Sequence, residues 1–247
     1  MGVCERCKGA GYLTRDVAYG HPDFGRLFPC ACKRAELKAR REAKARDASN
    51  LIGQLLHKMF ENYTPQDSLN REALRVARAF AAEPHGWLVL VGGNGRGKTH
   101  LAAAIANYRL KRNQPVIFVV VPDLLDRFRS TFRPGATTDY DEQFELVRTH
   151  PLLILDDLGA ESATSWAREK LFQILNYRYN ALLPTVITSD VAIDDWDVRI
   201  RARFQDTDVA RIVRVDTSLT RLDVPTWQTN QAGDVVRDVA RNRQAWL

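Results

Sequence analysis

Between an apolar run, Trp87-Leu-Val-Leu-Val91, and an alanine-rich stretch from His100 to Leu110 stands Gly92-Gly-Asn-Gly-Arg-Gly-Lys98-Thr99. This is G-x-x-x-x-G-K-T in full, and its flanks read as a buried strand before it and a helix after it. Few other local orders are open to such a segment. The glycines let backbone N–H groups curl around phosphate oxygens, and the positive end of the following helix adds to their pull. Lys98 is placed to reach the β- and γ-phosphates of ATP, and the Thr99 hydroxyl to ligate Mg2+. The expected nucleotide contacts are Gly92, Gly93, Asn94, Gly95, Arg96, Gly97, Lys98, Thr99 and His100.

A second apolar run, Leu152-Leu-Ile-Leu155, ends in Asp156-Asp157, 58 residues after Lys98. This is a Walker B pattern. Asp156 is expected to hold Mg2+, and the carboxylate of Asp157 to orient or deprotonate the attacking water. Further apolar runs fall at 116–121, 185–188 and 211–215, and helical patterns lie at 98–112, 123–132 with 139–149, 164–181 and 195–206. Alternating strands and helices with near-continuous apolar strands predict an α/β fold, a five-stranded parallel sheet covered on both faces. Ligand then belongs at the carboxyl ends of the strands. The strand Thr185-Val-Ile-Thr188 ends in Ser189-Asp190 beside that edge, so Thr188, Ser189 and Asp190 are all candidates to sense the γ-phosphate.

All four cysteines lie in the first 32 residues, as Cys4-x2-Cys7 and Cys30-x-Cys32. Two close pairs about 22 residues apart are a metal-site spacing, and tetrahedral Zn2+ needs four thiolates. Residues 1–32 are too few to bury a core, so bound zinc would supply the missing folding energy. Two disulfides are the rival reading, disfavoured in a reducing compartment. His21, beside Pro22, is read as a loop residue.

The formal charge of +6 is uneven. Residues 33–48 carry seven basic and three acidic groups, whereas residues 1–32 carry four and three. The 33–48 segment has no Gly or Pro and reads as a basic helical connector, facing solvent, nucleic-acid phosphate or an acidic protein. No apolar run approaches the ~18–20 residues of a membrane span, and no secretory signal opens the chain, so a cytoplasmic location is expected.

Taken with the motifs above, several segments resemble the AAA+ ATPases of the bacterial helicase-loader branch, the DnaC/DnaI-like proteins, and the related IstB-type transposition ATPases. They are Phe60-Glu-Asn-Tyr63, Gly97-Lys-Thr-His-Leu101, Leu155-Asp-Asp-Leu-Gly-Ala-Glu161, Trp166-Ala-x-Glu-Lys-Leu-Phe172, Asn176-x-Arg178-Tyr179, Pro184-Thr-Val-Ile-Thr-Ser189 and Arg199-Ile-Arg-Ala-Arg-Phe204. The resemblance covers about residues 59–224. It implies an AAA+ P-loop NTPase core, preceded by a small Cys4 zinc-binding domain and a basic helical linker. Asp157 takes the catalytic carboxylate position and Asp190 the sensor position, where Asn is common. Arg203 matches the arginine finger that reaches a neighbour's nucleotide, with Arg199 and Arg201 as rivals. The insertion at 122–149 implies a path for single-stranded DNA, with Arg129 and Arg133 as contacts. Phe128 and Phe132 are read as packing on the sheet with Leu124 and Leu125.

The expected boundaries are a zinc-binding domain at 1–32, a linker at 33–58, the AAA+ core at 59–224 and a tail at 225–247. The tail carries a helical pattern from Asp234 to Trp246. The resemblance implies a slow ATPase that grips a replicative helicase through its N-terminal region, self-associates with ATP and delivers the helicase to single-stranded DNA. A transposition ATPase assembling on duplex DNA and a nucleotide-gated adaptor with little turnover are the alternatives.

Overall fold

A computed structural model describes residues 4–37, 49–131, 139–159, 164–192 and 195–216, with the backbone of 227–229 and 235–237. A short antiparallel pair, β1 (Tyr12–Leu13) and β2 (Phe28–Pro29), is followed by helix α1, described over 31–37. The larger unit contains α2 (Ser68–Ala82), β3 (Trp87–Val91), α3 (Lys98–Leu110), β4 (Ile117–Val120), α4 (Val121–Ser130) and α5 (Tyr140–Thr149). It continues with β5 (Leu153–Asp156), α6 (Ser165–Asn180), β6 (Thr185–Ser189), α7 (Val198–Gln205) and β7 (Ala210–Arg214).

The five core strands pair in parallel in the order β4-β5-β6-β3-β7. β3 lies between β6 and β7, and all five of its residues are buried. Alternation along each strand divides the core in two. Leu88, Leu90, Phe118, Ile154 and Val186 pack with α2 and α3 on one face. Trp87, Val89, Val91, Leu153 and Ile187 pack with α4 to α7 on the other. Four buried alanines, Ala102, Ala103, Ala104 and Ala106, let α3 lie close against the sheet. Phe128 is fully buried between Tyr140 and Phe144, so this aromatic packs as expected. Phe132 and Arg133 lie outside the described residues, as do most of the 33–48 connector and residues 160–163.

Three differences from the sequence reading have physical causes. Helix α2 carries no earlier expectation, because its inward residues, Ala73, Val76, Ala77 and Ala81, recur at helical spacing and form no continuous apolar run. Its start is nonetheless encoded, since the Asp67 side chain accepts from Asn70 N–H at 2.8 Å. Residues 49–58, assigned above to a linker, lie on the core. Leu51 is buried, Ser49 O accepts from Phe118 N–H at 2.8 Å, and Asn107 Nδ2 donates to Leu55 O and Lys58 O, each at 2.8 Å. The third concerns the tail. β8 (Trp227–Thr229) and β9 (Val235–Arg237) pair antiparallel, so the expected helix does not begin at Asp234. Val235-Val236 is β-branched, and cross-strand pairing satisfies a propensity that helical periodicity overlooks. The remainder of 238–246 is outside the described residues.

Candidate functional site

Both flanks of the phosphate loop are fixed by the sheet. β3 delivers Gly92 at the carboxyl edge, where Gly92 N–H donates to Ser189 O of β6 at 3.2 Å. Gly95 and Gly97 take φ of +74° and +91°, values that side-chain-bearing residues rarely adopt. Gly97 is also the N-cap of α3, so the helix N-terminus opens onto the loop. Asn94, Gly95 and Arg96 are exposed at its crest. Lys98 is buried and its Nζ donates to Gly92 O and Gly93 O at 2.8 and 2.9 Å. Burial lowers the Lys98 pKa, while the charges of Asp190, Asp216, Asp157 and Asp156, in decreasing order, oppose that shift.

Asp156 ends β5 at 5% exposure. Burial raises its pKa, and hydrogen bonds from Thr188 and Thr99 oppose the rise. Thr188 Oγ1 donates to Asp156 Oδ1 at 2.7 Å and accepts from Asp157 N–H at 2.9 Å. One hydroxyl therefore ties β6 to both acidic residues. Asp157 sits in the left-handed region at φ +61°, a conformation that turns its exposed side chain away from the strand. The three sensor candidates separate here. Thr188 is occupied by the Walker B pair, and the buried Ser189 hydroxyl accepts from Val191 N–H at 3.0 Å. Asp190 is only partly buried and is the first of the charges acting on Lys98.

His100, expected among the nucleotide contacts, turns elsewhere. Its Nε2 lies 2.9 Å from Met59 O and 3.0 Å from Asn62 Oδ1, and its ring meets Tyr63 edge-on. The Tyr63 ring in turn covers Gly97, where a Cβ would stand 2.7 Å from Tyr63 Cε2. Tyr63 Oη is buried with no hydrogen-bond partner among the described residues. A glycine cradle, a helix N-terminus, a buried lysine and an orphaned hydroxyl beside them fit a nucleotide triphosphate.

One residue of this site carried no expectation. Asp216, just past β7, is buried, and both of its oxygens lie 3.2 Å from Gly93 N–H. It also pairs with Arg96 at 3.1 Å. Its place at the carboxyl end of the strand beside β3 was the available signal.

Arg203 lies on α7 against α6. Its Nη1 donates to Arg199 O at 2.5 Å, another nitrogen donates to Asn176 Oδ1, and the guanidinium lies 4.9 Å from the Phe172 ring centre. Arg199 pairs with Glu169 and Asp197, each at 3.2 Å. Arg129 pairs with Asp126 at 3.0 Å and lies 5.1 Å from the Trp166 ring centre.

The four cysteine Sγ atoms lie within 4.8 Å of one another. Cys4–Cys30 and Cys7–Cys32 stand 3.9 and 3.5 Å apart, so no disulfide joins them. A zinc tetrahedron with ~2.3 Å bonds has S···S edges of about 3.8 Å, which these spacings match. The turn after Cys7 uses Lys8, Gly9 and Gly11 at positive φ, and Cys30 N–H donates to Gly11 O at 2.9 Å. Hydrogen bonds from the backbone of Cys7 and Arg6 lower the Cys4 thiol to about 6. The Cys7 side chain, then burial and the other thiols, push Cys32 up to about 12. Purified protein is expected to hold about one zinc per chain, and Cys30→Ser to lose it and expose residues 4–37 to protease. Metal-free protein with that segment still protected would contradict the assignment.

Among the described residues no helix is long and apolar enough to cross a membrane. The profile of the family described as IstB-like ATP binding protein matches residues 32–217. The replicative helicase loader DnaI of Bacillus subtilis (strain 168) is 35% identical over 109 residues, 44% of this chain and 34% of that protein. The replicative helicase loader DnaC of Escherichia coli (strain K12) is 27% identical over 150 residues, 60% of this chain and 61% of that protein. The chain thus spans about a third of the one and three fifths of the other. A crystal structure of DnaI superposes with a TM-score of 0.56 at 32% identity, covering 65% of this chain and 92% of that one. One of the DnaC helicase loader gives 0.55 at 27%, covering 67% and 100%. With a P-loop, a Walker B pair and the parallel sheet β4-β5-β6-β3-β7 in place, the chain belongs to the IstB-like ATP binding proteins, within the AAA+ family.

Proposed function

We propose that this chain is an ATP-dependent helicase loader. The observation that carries the reading is the joining, in one chain, of an AAA+ nucleotide site to a separate four-cysteine unit, in a protein similar to two named replicative helicase loaders. The Cys4 unit (1–32) and the basic segment after it would bind a replicative hexameric helicase. The core, to about residue 224, would bind ATP and turn it over slowly, and would self-associate so that Arg203 meets a neighbour's nucleotide.

Mg2+ bound with ATP would neutralise charge between the phosphates, and Thr99 and Asp156 are the residues that would hold it. Lys98 and the loop N–H groups bind and orient the triphosphate. Asp157 orients the attacking water and takes up its proton, and Asp190 stands where the γ-phosphate is sensed. Cys4, Cys7, Cys30 and Cys32 would hold Zn2+, which would give the N-terminal unit its shape. Arg129 and Arg133 would grip single-stranded DNA by its phosphates, Arg129 exchanging Asp126 for phosphate. ATP binding favours the assembled, DNA-holding state and hydrolysis releases it.

A transposition ATPase is the second reading, favoured by the family description. The test is gel filtration and electron microscopy with the host's hexameric helicase, Mg-ATP, and single-stranded or duplex DNA in parallel. A loader forms a helicase complex through residues 1–32 and prefers single strands. ATP-dependent filaments on duplex DNA without helicase binding would overturn the loader and support the transposition reading.

A further inference from the structure

We propose that Asp216 is a positioning residue for nucleotide, a carboxylate clamp that holds the first turn of the phosphate loop and its Arg96. The inference rests on the ATP reading above and assigns a role to a residue outside both Walker motifs.

The carboxylate is built into the loop. It is buried, at 4% exposure. Both oxygens lie 3.2 Å from Gly93 N–H, and Oδ2 lies 3.1 Å from Arg96 Nε. A Cβ on Gly92 would stand 3.0 Å from Asp216 Oδ1, so the loop's first glycine is what admits the carboxylate. The clamp is itself braced. Val215 N–H donates to Val91 O at 2.8 Å, extending the β7–β3 ladder to the loop, and Val215 O accepts from the Asn70 side chain of α2.

This arrangement has a chemical consequence. The loop must present successive N–H groups to phosphate. Asp216 takes the Gly93 N–H, at the loop's start, and fixes the direction in which the remaining amides curl. Arg96 is the residue just before Gly97 and Lys98, with its side chain 49% exposed. The clamp acts before chemistry, so it belongs to binding more than to turnover.

The two halves of the clamp are separable. Asp216→Ala removes the acceptor for Gly93 and the partner of Arg96. Asp216→Asn keeps an oxygen for Gly93 N–H and loses the ion pair. Arg96→Ala loses the ion pair alone. A hydrogen bond to a charged group contributes about 1.5–3 kcal/mol, so Asp216→Ala is expected to raise the Kd for Mg-ATP about 10-fold or more. A half-exposed ion pair contributes ~1 kcal/mol or less, so Asp216→Asn and Arg96→Ala should each raise it only about 2- to 5-fold, and alike. The double variant Asp216→Ala with Arg96→Ala should be no weaker than Asp216→Ala, because the pair is already broken.

The experiment is titration of the full chain and these variants with a fluorescent ATP analogue and Mg2+, with steady-state turnover and melting temperature measured beside it. The expected result is a graded rise in Kd and KM with kcat changed by less than about 3-fold at saturation. A purely structural residue would lower the melting temperature and the number of binding sites and leave the Kd of the folded fraction unchanged; that outcome overturns the proposal. Equal Kd for wild type and Asp216→Asn, together with equal Kd for Arg96→Ala, overturns it even if Asp216→Ala fails to fold. Failure of the wild-type chain itself to bind Mg-ATP would instead overturn the ATP reading, and the clamp with it.

Discussion

Arg178→Met is expected to lower folding stability by about 3–5 kcal/mol while leaving the Kd of the folded fraction for Mg-ATP unchanged. Arg178 is fully buried on α6. Its Nε donates to Thr185 Oγ1 at 2.9 Å, and its other nitrogens donate to Arg148 O, His150 O and Pro184 O at 3.1, 2.7 and 2.6 Å. Burial lowers its pKa to about 9, so holding the charged form there has a cost that these oxygens offset. The acceptors at 148 and 150 belong to the C-terminal end of α5, where orphaned carbonyls concentrate negative charge. Pro184 and Thr185 open β6. The guanidinium thus joins the end of one helix to the start of the strand that carries Thr188 to the Walker B pair. Methionine fills similar volume and donates nothing, leaving several buried acceptors unmade. Urea denaturation followed by circular dichroism measures the loss. His150, whose pKa is lowered by burial and further by Arg178, should also titrate closer to an ordinary histidine in the variant. A loss under ~1 kcal/mol would show that water replaces the guanidinium at no cost, contrary to the argument.

Much of the core was legible because its signals are local. The run Trp87 to Val91 had to be a strand buried on both faces, and the glycine loop after it had to turn into a helix. Asp156 was legible from the same logic, as the polar end of an apolar run. Three things were not. Helix α2 shows only as a helical period, Ala73, Val76, Ala77 and Ala81 between polar residues, with no apolar run to announce it. The roles of Thr188, Ser189 and Asp190 cannot be separated by order in the chain, since all three stand at one strand tip; only the 2.7 and 2.9 Å bonds of Thr188 do so. Asp216 and His100 show the limit best. Asp216 is 123 residues from the Gly93 it holds, and no spacing rule links them. His100 sits inside the phosphate motif, yet its ring faces the segment at 59–63, which explains why Phe60 to Tyr63 accompanies the loop in sequence: Tyr63 covers Gly97 and Asn62 meets His100.

Arg203→Ala is expected to reduce ATP turnover by about 10³-fold or more in the assembled protein, with Kd for Mg-ATP within about 3-fold of wild type. In its own subunit Arg203 is held by Asn176 and Phe172 on the α6–α7 surface. In the assembly proposed above, its effect on phosphoryl transfer is exerted on a second subunit's nucleotide. The charges suit such a contact: Asp190, Asp216, Asp157 and Asp156 all act on Lys98, and Arg199 and Arg203 stand on α7. Arg199 differs in being engaged by Glu169 and Asp197. Arg199→Ala should accordingly change turnover by less than about 5-fold, since the pairs it loses are exposed. Mixing decides between a role across the interface and a role within one subunit. Lys98→Ala subunits lack a working phosphate site but keep Arg203; Arg203→Ala subunits have the converse defect. Equal amounts of the two should recover about a quarter of wild-type turnover if they mix at random, because half of the loops are intact and half of those face an intact arginine. If the mixture is no more active than its separate parts, Arg203 serves its own subunit's structure, and the neighbour's arginine must come from elsewhere on α7.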